Sequence, residues 1–153
     1  MTVQVSQNNS SVPFIRSGQS LIRDNETLLT DGSRSIPLAF GTVMAKVAAS
    51  QKWVPLTSLT AANGDAVAQG IFIGSAVAAA DLVAGDVVGA PILVGGGCTI
   101  DKDQLVLENS LTIDSVFSSS NAATVYLKVT IRDLLAMRGI YLENTIDIDG
   151  YES

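Results

Sequence analysis

The chain has 153 residues, a length at which a single domain with one hydrophobic core is the ordinary outcome. Apolar residues make up 47% of it and charged residues only 16%, so the chain is too apolar to remain disordered. Histidine is absent, which excludes Ser-His and Cys-His nucleophile pairs and histidine-ligated zinc sites. The net charge of −6 argues against nucleic acid as a partner, because binding to polyanions requires a basic surface.

Redox chemistry and membrane insertion are also disfavoured. Cys98 is the single cysteine, so no intrachain disulfide or Cys-x-x-Cys motif can form, and we expect a small buried hydrophobe. The longest uncharged segments, residues 66–80 and 87–100, are shorter than the ~18–20 apolar residues of a membrane span. No signal peptide is recognisable at the N-terminus, so we expect a soluble protein that is made in a cytoplasm and has no membrane partner.

Residues 1–35 have the character of an extended N-terminal arm. The first residues are polar without periodicity, and Pro13, Gly18 and Gly32 interrupt the segment. Four apolar side chains within it would lack cover in an extended chain, which indicates a partner, for instance through strand addition to an open sheet edge. These candidate arm residues are Phe14, Ile15, Leu21 and Ile22.

Short strands are predicted next along the chain. Residues 42–48 and 52–56 are apolar runs joined by a tight connection, which predicts a hairpin. Asn63-Gly64 is a strong turn dipeptide because both residues tolerate positive φ. It leads into a third predicted strand over residues 67–73.

The following segment continues this pattern. Residues 78–82 are predicted to form a loop that leads into strands at 87–88 and 91–94. Pro91 indicates a strand start or an edge strand, and the glycine triplet at 95–97 indicates a turn or bulge. Short strands with turn signals between them favour a small β-barrel or β-sandwich over a βαβ fold.

The last third of the chain adds some helix. Residues 103–109 are predicted to form a short helix and residues 124–129 a strand. Thr130 and Asp133 fit a capping box at the start of a second short helix, and Gly139 suits its C-terminal end.

The predicted fold is therefore mainly β, a small β-barrel or β-sandwich-like domain with one or two short helices and an extended N-terminal arm. The predicted boundaries are an arm over residues 1–35, a β-rich domain over 36–143 and an acidic C-terminal tail over 144–153.

No motif indicates catalysis, cofactor binding or a metal site. Residues 147–150 resemble part of a calcium loop, but the chain ends before the glutamate that an EF-hand needs. Asp101 and Asp103 would need further convergent ligands or acid–base partners, and a solvated turn is the simpler interpretation. Trp53, the single tryptophan, is interpreted as a packing or trimer-contact residue, and the alternative is stacking on a ligand.

Several segments resemble the lambda-type head decoration proteins of tailed bacteriophages. They are Gly41-Thr42-Val43-Met44-Ala45-Lys46-Val47, Lys52-Trp53-Val54-Pro55-Leu56, Asn63-Gly64-Asp65, Val67-Ala68-Gln69-Gly70-Ile71-Phe72-Ile73 and Ala84-Gly85-Asp86. The segment Leu134-Leu135-x-x-x-Gly139-Ile140 is similar to the helix and Gly-Ile ending of several members. The resemblance covers residues 36–100 well and 124–142 loosely.

This resemblance implies a non-enzymatic capsid cement on the outer surface of the virion. Such a protein binds the major capsid protein of the expanded head as a homotrimer at three-fold and quasi-three-fold sites, often through its N-terminal arm, and stabilises the head against DNA pressure. Two alternatives share the composition: a phage tail or baseplate structural protein, and a β-barrel ligand-binding module.

Overall fold

The computed structural model describes residues 14–17, 22–59, 67–116 and 129–143. These residues form β1 (Ile15–Ser17), β2 (Ile22–Leu28), β3 (Val43–Lys46), β4 (Trp53–Pro55), β5 (Gly70–Phe72), α1 (Ala79–Ala84), β6 (Val87–Gly95), β7 (Cys98–Asp101), α2 (Ile131–Ala136) and β8 (Ile140–Glu143). A 3-10 turn, Lys102–Gln104, follows β7. The prediction of a mainly β domain with one or two short helices is confirmed.

Five strands close into a barrel in the order β2-β4-β3-β5-β6, and antiparallel pairing between β2 and β6 completes the ring. The predicted hairpin is the antiparallel pair β3–β4, in which Ala45 lies opposite Val54. Closure pairs every barrel strand with two neighbours and removes the free edges that an open sheet would expose. The small barrel predicted from the sequence is therefore present.

Alternate residues along the barrel strands belong to two different hydrophobic clusters. Met44 belongs to one cluster, whereas its neighbours Val43 and Ala45 belong to the other. Because successive side chains of a strand point to opposite faces, these clusters are the barrel interior and the outer barrel face. The interior cluster consists of Leu28, Leu38, Met44, Trp53, Phe72, Leu82, Ala90 and Ile92.

A second, three-stranded sheet in the order β1-β7-β8 contributes to the outer cluster together with α2. β7 runs antiparallel to β1 and parallel to β8. The side chains from this layer that are buried in the cluster are Phe14, Cys98, Ile100, Ile131, Leu135 and Ile140. Cys98 is fully buried, as predicted, and burial raises the pKa of its thiol.

The N-terminal segment is integrated into the fold, contrary to the expected arm. β2 is a barrel strand that pairs with β6 from Ile22 to Leu28, and β1 pairs with β7. The described part of residues 1–35 therefore belongs to the β-rich domain, and the expected boundary at residue 35 is wrong. Backbone hydrogen bonds to distant strands stabilise this segment, although its sequence has little apolar periodicity.

Two further local predictions are wrong. Residues 79–84 form α1, in which Leu82 is buried in the barrel interior, whereas a loop was expected. Pro91 lies within the continuous strand β6, between β2 and β5 in the barrel. Proline is tolerated there because β5 ends at Phe72, so the hydrogen bond that Pro91 cannot donate falls beyond the end of that strand.

The region after β7 also differs from expectation. The helix predicted over 103–109 is replaced by the single 3-10 turn, whose N-terminus is capped by the buried side chain of Asp101 accepting from the Asp103 amide at 3.0 Å. Asp101 and Asp103 are thus local partners within one turn. The predicted strand over 124–129 falls almost entirely, and the Asn63-Gly64 turn falls wholly, outside the described residues.

The capping box at α2 is confirmed. Thr130 Oγ1 accepts from the Asp133 amide at 3.2 Å, and Asp133 Oδ2 accepts from the Thr130 amide at 3.0 Å. Gly139, with φ +79°, follows the helix in the left-handed conformation that favours glycine. The two hydrogen bonds between Thr130 and Asp133 satisfy amides that have no acceptor within the first turn of the helix.

We expect Asp133 to contribute to the acid sensitivity of the fold. The backbone and side-chain hydrogen bonds with Thr130 lower the pKa of Asp133, so its stabilising effect is complete above the unfolded-state pKa of about 4. That effect is lost as the pH falls through the lower folded-state pKa. Asp133→Asn should therefore flatten the fall in melting temperature between about pH 5 and pH 2, measured by circular dichroism. An unchanged slope would contradict this role.

Candidate interaction surface

Phe14 is buried in the core of its own chain. Its side chain is 8% exposed, and its ring meets that of Phe40 edge-on with centroids 5.0 Å apart. Its carbonyl accepts from the Asp101 amide at 2.8 Å. The assumption that this side chain needs cover from a partner is therefore wrong, and a polar substitution of Phe14 would test folding rather than partner binding.

Of the other three arm residues, only the side chain of Ile15 is described. Ile15 is partly buried and packs against the outer cluster. The backbone of Ile22 lies in β2 opposite Gly95, while the Ile22 side chain and all of Leu21 lie outside the described residues. Among the described side chains, Phe14 and Ile15 both pack against the outer cluster.

Trp53 packs inside the barrel. Its side chain is 3% exposed, and an added Cβ at Gly70 would lie 3.1 Å from its Cζ3 atom. The ammonium group of Lys46 lies 5.5 Å from the centroid of the ring, at cation–π distance. Of the two roles assigned to this residue, core packing agrees with its position, whereas a trimer contact would require exposure.

Seven large apolar side chains are exposed among the described residues. They are Ile36, Phe40, Val83, Val88, Val116, Met137 and Tyr141. Single exposed apolar residues are normal on protein surfaces, so position and rigidity decide which of them suggest an interface.

Ile36 and Phe40 belong to one short segment, here named the 36–40 loop, which is anchored at its centre. Leu38 is fully buried between them and forms a two-bond antiparallel bridge with Val77, at 2.8 and 3.0 Å. Just beyond the loop, the Gly41 amide donates to the Phe72 carbonyl at 2.7 Å. The loop is thus fixed to the barrel while Ile36 is 53% and Phe40 43% exposed.

A buried ion pair also holds this loop. Arg34 donates to both carboxylate oxygens of Glu108, each at 2.6 Å, and the two side chains are only 6% and 9% exposed. The same guanidinium donates from Nε to the Ile36 carbonyl at 2.7 Å and from Nη2 to the Pro37 carbonyl at 3.0 Å. Arg34 thus donates two hydrogen bonds to the loop backbone, and its two bonds to Glu108 hold the guanidinium in place for them.

Val88 is the most exposed of the seven, and a strand irregularity explains its exposure. Glu26 pairs with Ala90 and Leu28 with Val87, so β6 has one more residue than β2 between these pairs. A β-bulge of this kind redirects side chains, and Val88 is 77% exposed as a result.

One charged pair elsewhere on the described surface has an evident structural role. Asp86 accepts from Lys52 and from the Thr30 amide, which joins β6 to the segments after β2 and before β4. Both hydrogen bonds lower the pKa of Asp86, and the bond from Lys52 has the larger effect.

The described residues contain no group of three or more His, Cys, Asp or Glu positioned to hold a metal ion. Neither α1 nor α2 has the length or apolar character to cross a membrane.

Sequence reasoning missed the 36–40 loop and the bulge. The sequence signal for the loop is weak, because it consists of two large apolar residues, Ile36 and Phe40, near Ser35 and Pro37. The ion pair that holds the loop joins Arg34 to Glu108, which lie 74 positions apart in the sequence. The sequence matches no protein-family model, and no curated protein is significantly similar to it.

Proposed function

We propose that this protein is a structural capsid decoration protein. It binds the outside of the expanded head of a tailed bacteriophage as a homotrimer at three-fold and quasi-three-fold sites, contacts the major capsid protein and stabilises the head against DNA pressure. The observation that carries the proposal is the 36–40 loop, which hydrogen bonds fix to a closed barrel and which exposes two large apolar side chains. The motif resemblance described above supports the choice of partner.

The rigidity of the loop favours a binding role. Ordering a flexible loop opposes association, and a loop that is already fixed avoids that cost. In a trimer, three such loops act together, so a modest affinity at each contact gives a much higher overall affinity. A cement protein requires many such contacts and no reactive residue.

Two paired sets of charged side chains agree with this interpretation. Arg34 and Glu108 neutralise each other, and Lys52 and Asp86 are paired. These groups stabilise loops and strands, which is the arrangement expected of a scaffold that works through its shape.

Co-sedimentation with expanded, decoration-free shells of the cognate phage tests the proposal. We expect saturable binding of the full chain in multiples of three, and Ile36→Asp should weaken it at least about tenfold. Val88→Asp is the matched control, because it places the same charge on another exposed aliphatic position, and it should bind normally. Circular dichroism verifies that both variants are folded.

The results for the full chain test the decoration function, and the results for the two variants test whether the 36–40 loop is the binding surface. Absence of shell binding by the full chain would contradict the decoration function and favour a tail or baseplate component. Normal binding by Ile36→Asp, or equal loss in both variants, would contradict the assignment to the 36–40 loop.

A test for a contribution of the N-terminal residues to shell binding needs a truncation shorter than residues 1–35. Deletion of residues 1–35 would remove β1 and β2, and so would open the barrel. Deletion of residues 1–13 removes none of the described residues and isolates their contribution. If the deletion of residues 1–13 abolishes shell binding while Ile36→Asp binds normally, the contact lies before Phe14.

A further inference from the structure

A cleft of about 230 Å³ opens between strands β2, β3 and β4, and is here named the Trp53 cleft. Several side chains of the barrel interior line it, so the cleft extends from the interior cluster to the surface. Its apolar part is formed by Leu28, Leu38, Met44, Trp53, Pro55 and Leu82. For comparison, an apolar cavity of ~150 Å³ is large enough to bind benzene.

The indole N–H of Trp53 is buried without a hydrogen-bond partner. It is the single side-chain nitrogen or oxygen atom among the described residues that is both fully buried and unpaired. The Cζ3 corner of the ring faces Gly70, so Nε1, at the opposite corner, is turned away from β5. A buried donor without an acceptor is destabilising, and such groups are rare in folded proteins.

Three other polar side chains at the cleft, those of Thr30, Asp31 and Arg34, already have partners. Thr30 Oγ1 donates to the Leu82 carbonyl at 2.7 Å. Asp31 Oδ1 accepts from the amide and hydroxyl of Ser33, and Arg34 is paired with Glu108. Among these three side chains, Thr30 and Asp31 have neutral hydrogen-bond partners and Arg34 has an ion-pair partner, so Trp53 Nε1 is the buried donor of the cleft residues that has no acceptor.

We propose that the Trp53 cleft binds a neutral small molecule with an apolar body, about the size of a substituted benzene, and one carbonyl oxygen that accepts from Trp53 Nε1. The apolar lining accommodates the body, and the unpaired N–H selects the acceptor. Met44 lines the same cleft, and its unbranched, flexible side chain can adapt to the shape of a bound molecule. This inference is independent of capsid binding.

A pair of probes with equal numbers of non-hydrogen atoms tests the role of the N–H. Acetophenone carries the carbonyl oxygen, whereas cumene has a methyl group in its place. Because the chain has one tryptophan, its ¹⁵N–¹H spectrum contains one indole signal. We expect a saturable downfield shift of that proton with acetophenone, and about fivefold to tenfold weaker binding of cumene.

Trp53→Phe provides the matched variant, because it keeps an aromatic ring and removes the donor. The methyl signal of Met44 then reports binding in both proteins. In the variant the carbonyl oxygen of acetophenone has no donor, so acetophenone should lose affinity relative to cumene. The proposal is overturned if the shifts in the unmodified protein are not saturable, or if both probes bind it with equal affinity. If Trp53→Phe does not fold, the comparison of the two probes in the unmodified protein decides alone.

Discussion

Glu108→Ala should lower the free energy of unfolding by about 3–5 kcal/mol, because it leaves the Arg34 guanidinium buried without its counter-charge. Two backbone carbonyls would still accept from Arg34, but neither carries a full negative charge. Urea denaturation followed by circular dichroism measures the effect. The size of the loss depends on burial, since an exposed ion pair contributes little.

Asp114→Ala is the control for Glu108→Ala. It removes the carboxylate from the pair between Arg132 and Asp114, whose atoms are 3.5 Å apart and whose side chains are 40% and 72% exposed. We expect a loss of less than about 1 kcal/mol. Similar losses in the two variants would show that burial of the Arg34–Glu108 pair does not determine its importance.

The same ion pair links stability to the proposed function. Without Glu108, Arg34 loses the ion-pair partner that fixes it against the carbonyls of the 36–40 loop. We therefore expect folded Glu108→Ala, studied below its melting temperature, to bind shells more weakly although Ile36 and Phe40 are intact. Such a result would attribute affinity to the rigidity of the loop as well as to its side chains.

The features that the sequence predicts correctly depend on near neighbours. The hairpin β3–β4 joins two apolar runs across a short turn, and the capping box spans four consecutive positions. Each has a local physical cause that is readable from residue types. The sequence pattern is equally consistent with a β-barrel and a β-sandwich, so it does not by itself predict that the sheet closes into a barrel.

The features that were missed depend on distant parts of the chain. β2 reads Ile-Arg-Asp-Asn-Glu-Thr-Leu, which has no apolar alternation, and its place in the barrel follows from pairing with β6 some 60 residues later. The burial of Phe14 likewise requires β7 and the 36–40 loop. The arm was inferred because a polar strand between two partners resembles an unstructured segment.

Gly70→Ala should destabilise the fold by about 1–3 kcal/mol, because the barrel leaves no space for a methyl group at this position. An ideal Cβ would lie 2.8 Å from Ile92 Cγ2, 2.9 Å from the Leu93 carbonyl oxygen and 3.1 Å from Trp53 Cζ3. The carbonyl belongs to the neighbouring strand, so relief requires β5 and β6 to separate or the indole to shift. By propensity alone, alanine within a strand is more stable than glycine by ~0.5–1 kcal/mol, so a loss must come from these contacts.

Gly32→Ala is the matched control for Gly70→Ala. A Cβ at Gly32 would meet no atom within 4 Å, and the residue does not have the positive φ that would strain alanine. This substitution should leave stability unchanged or raise it by about 0.4–1 kcal/mol, since alanine restricts the unfolded chain. Urea denaturation of both variants measures the contrast. Equal stability of the two would mean that the barrel adapts at Gly70, and that the position of the Trp53 ring does not depend on a glycine opposite it.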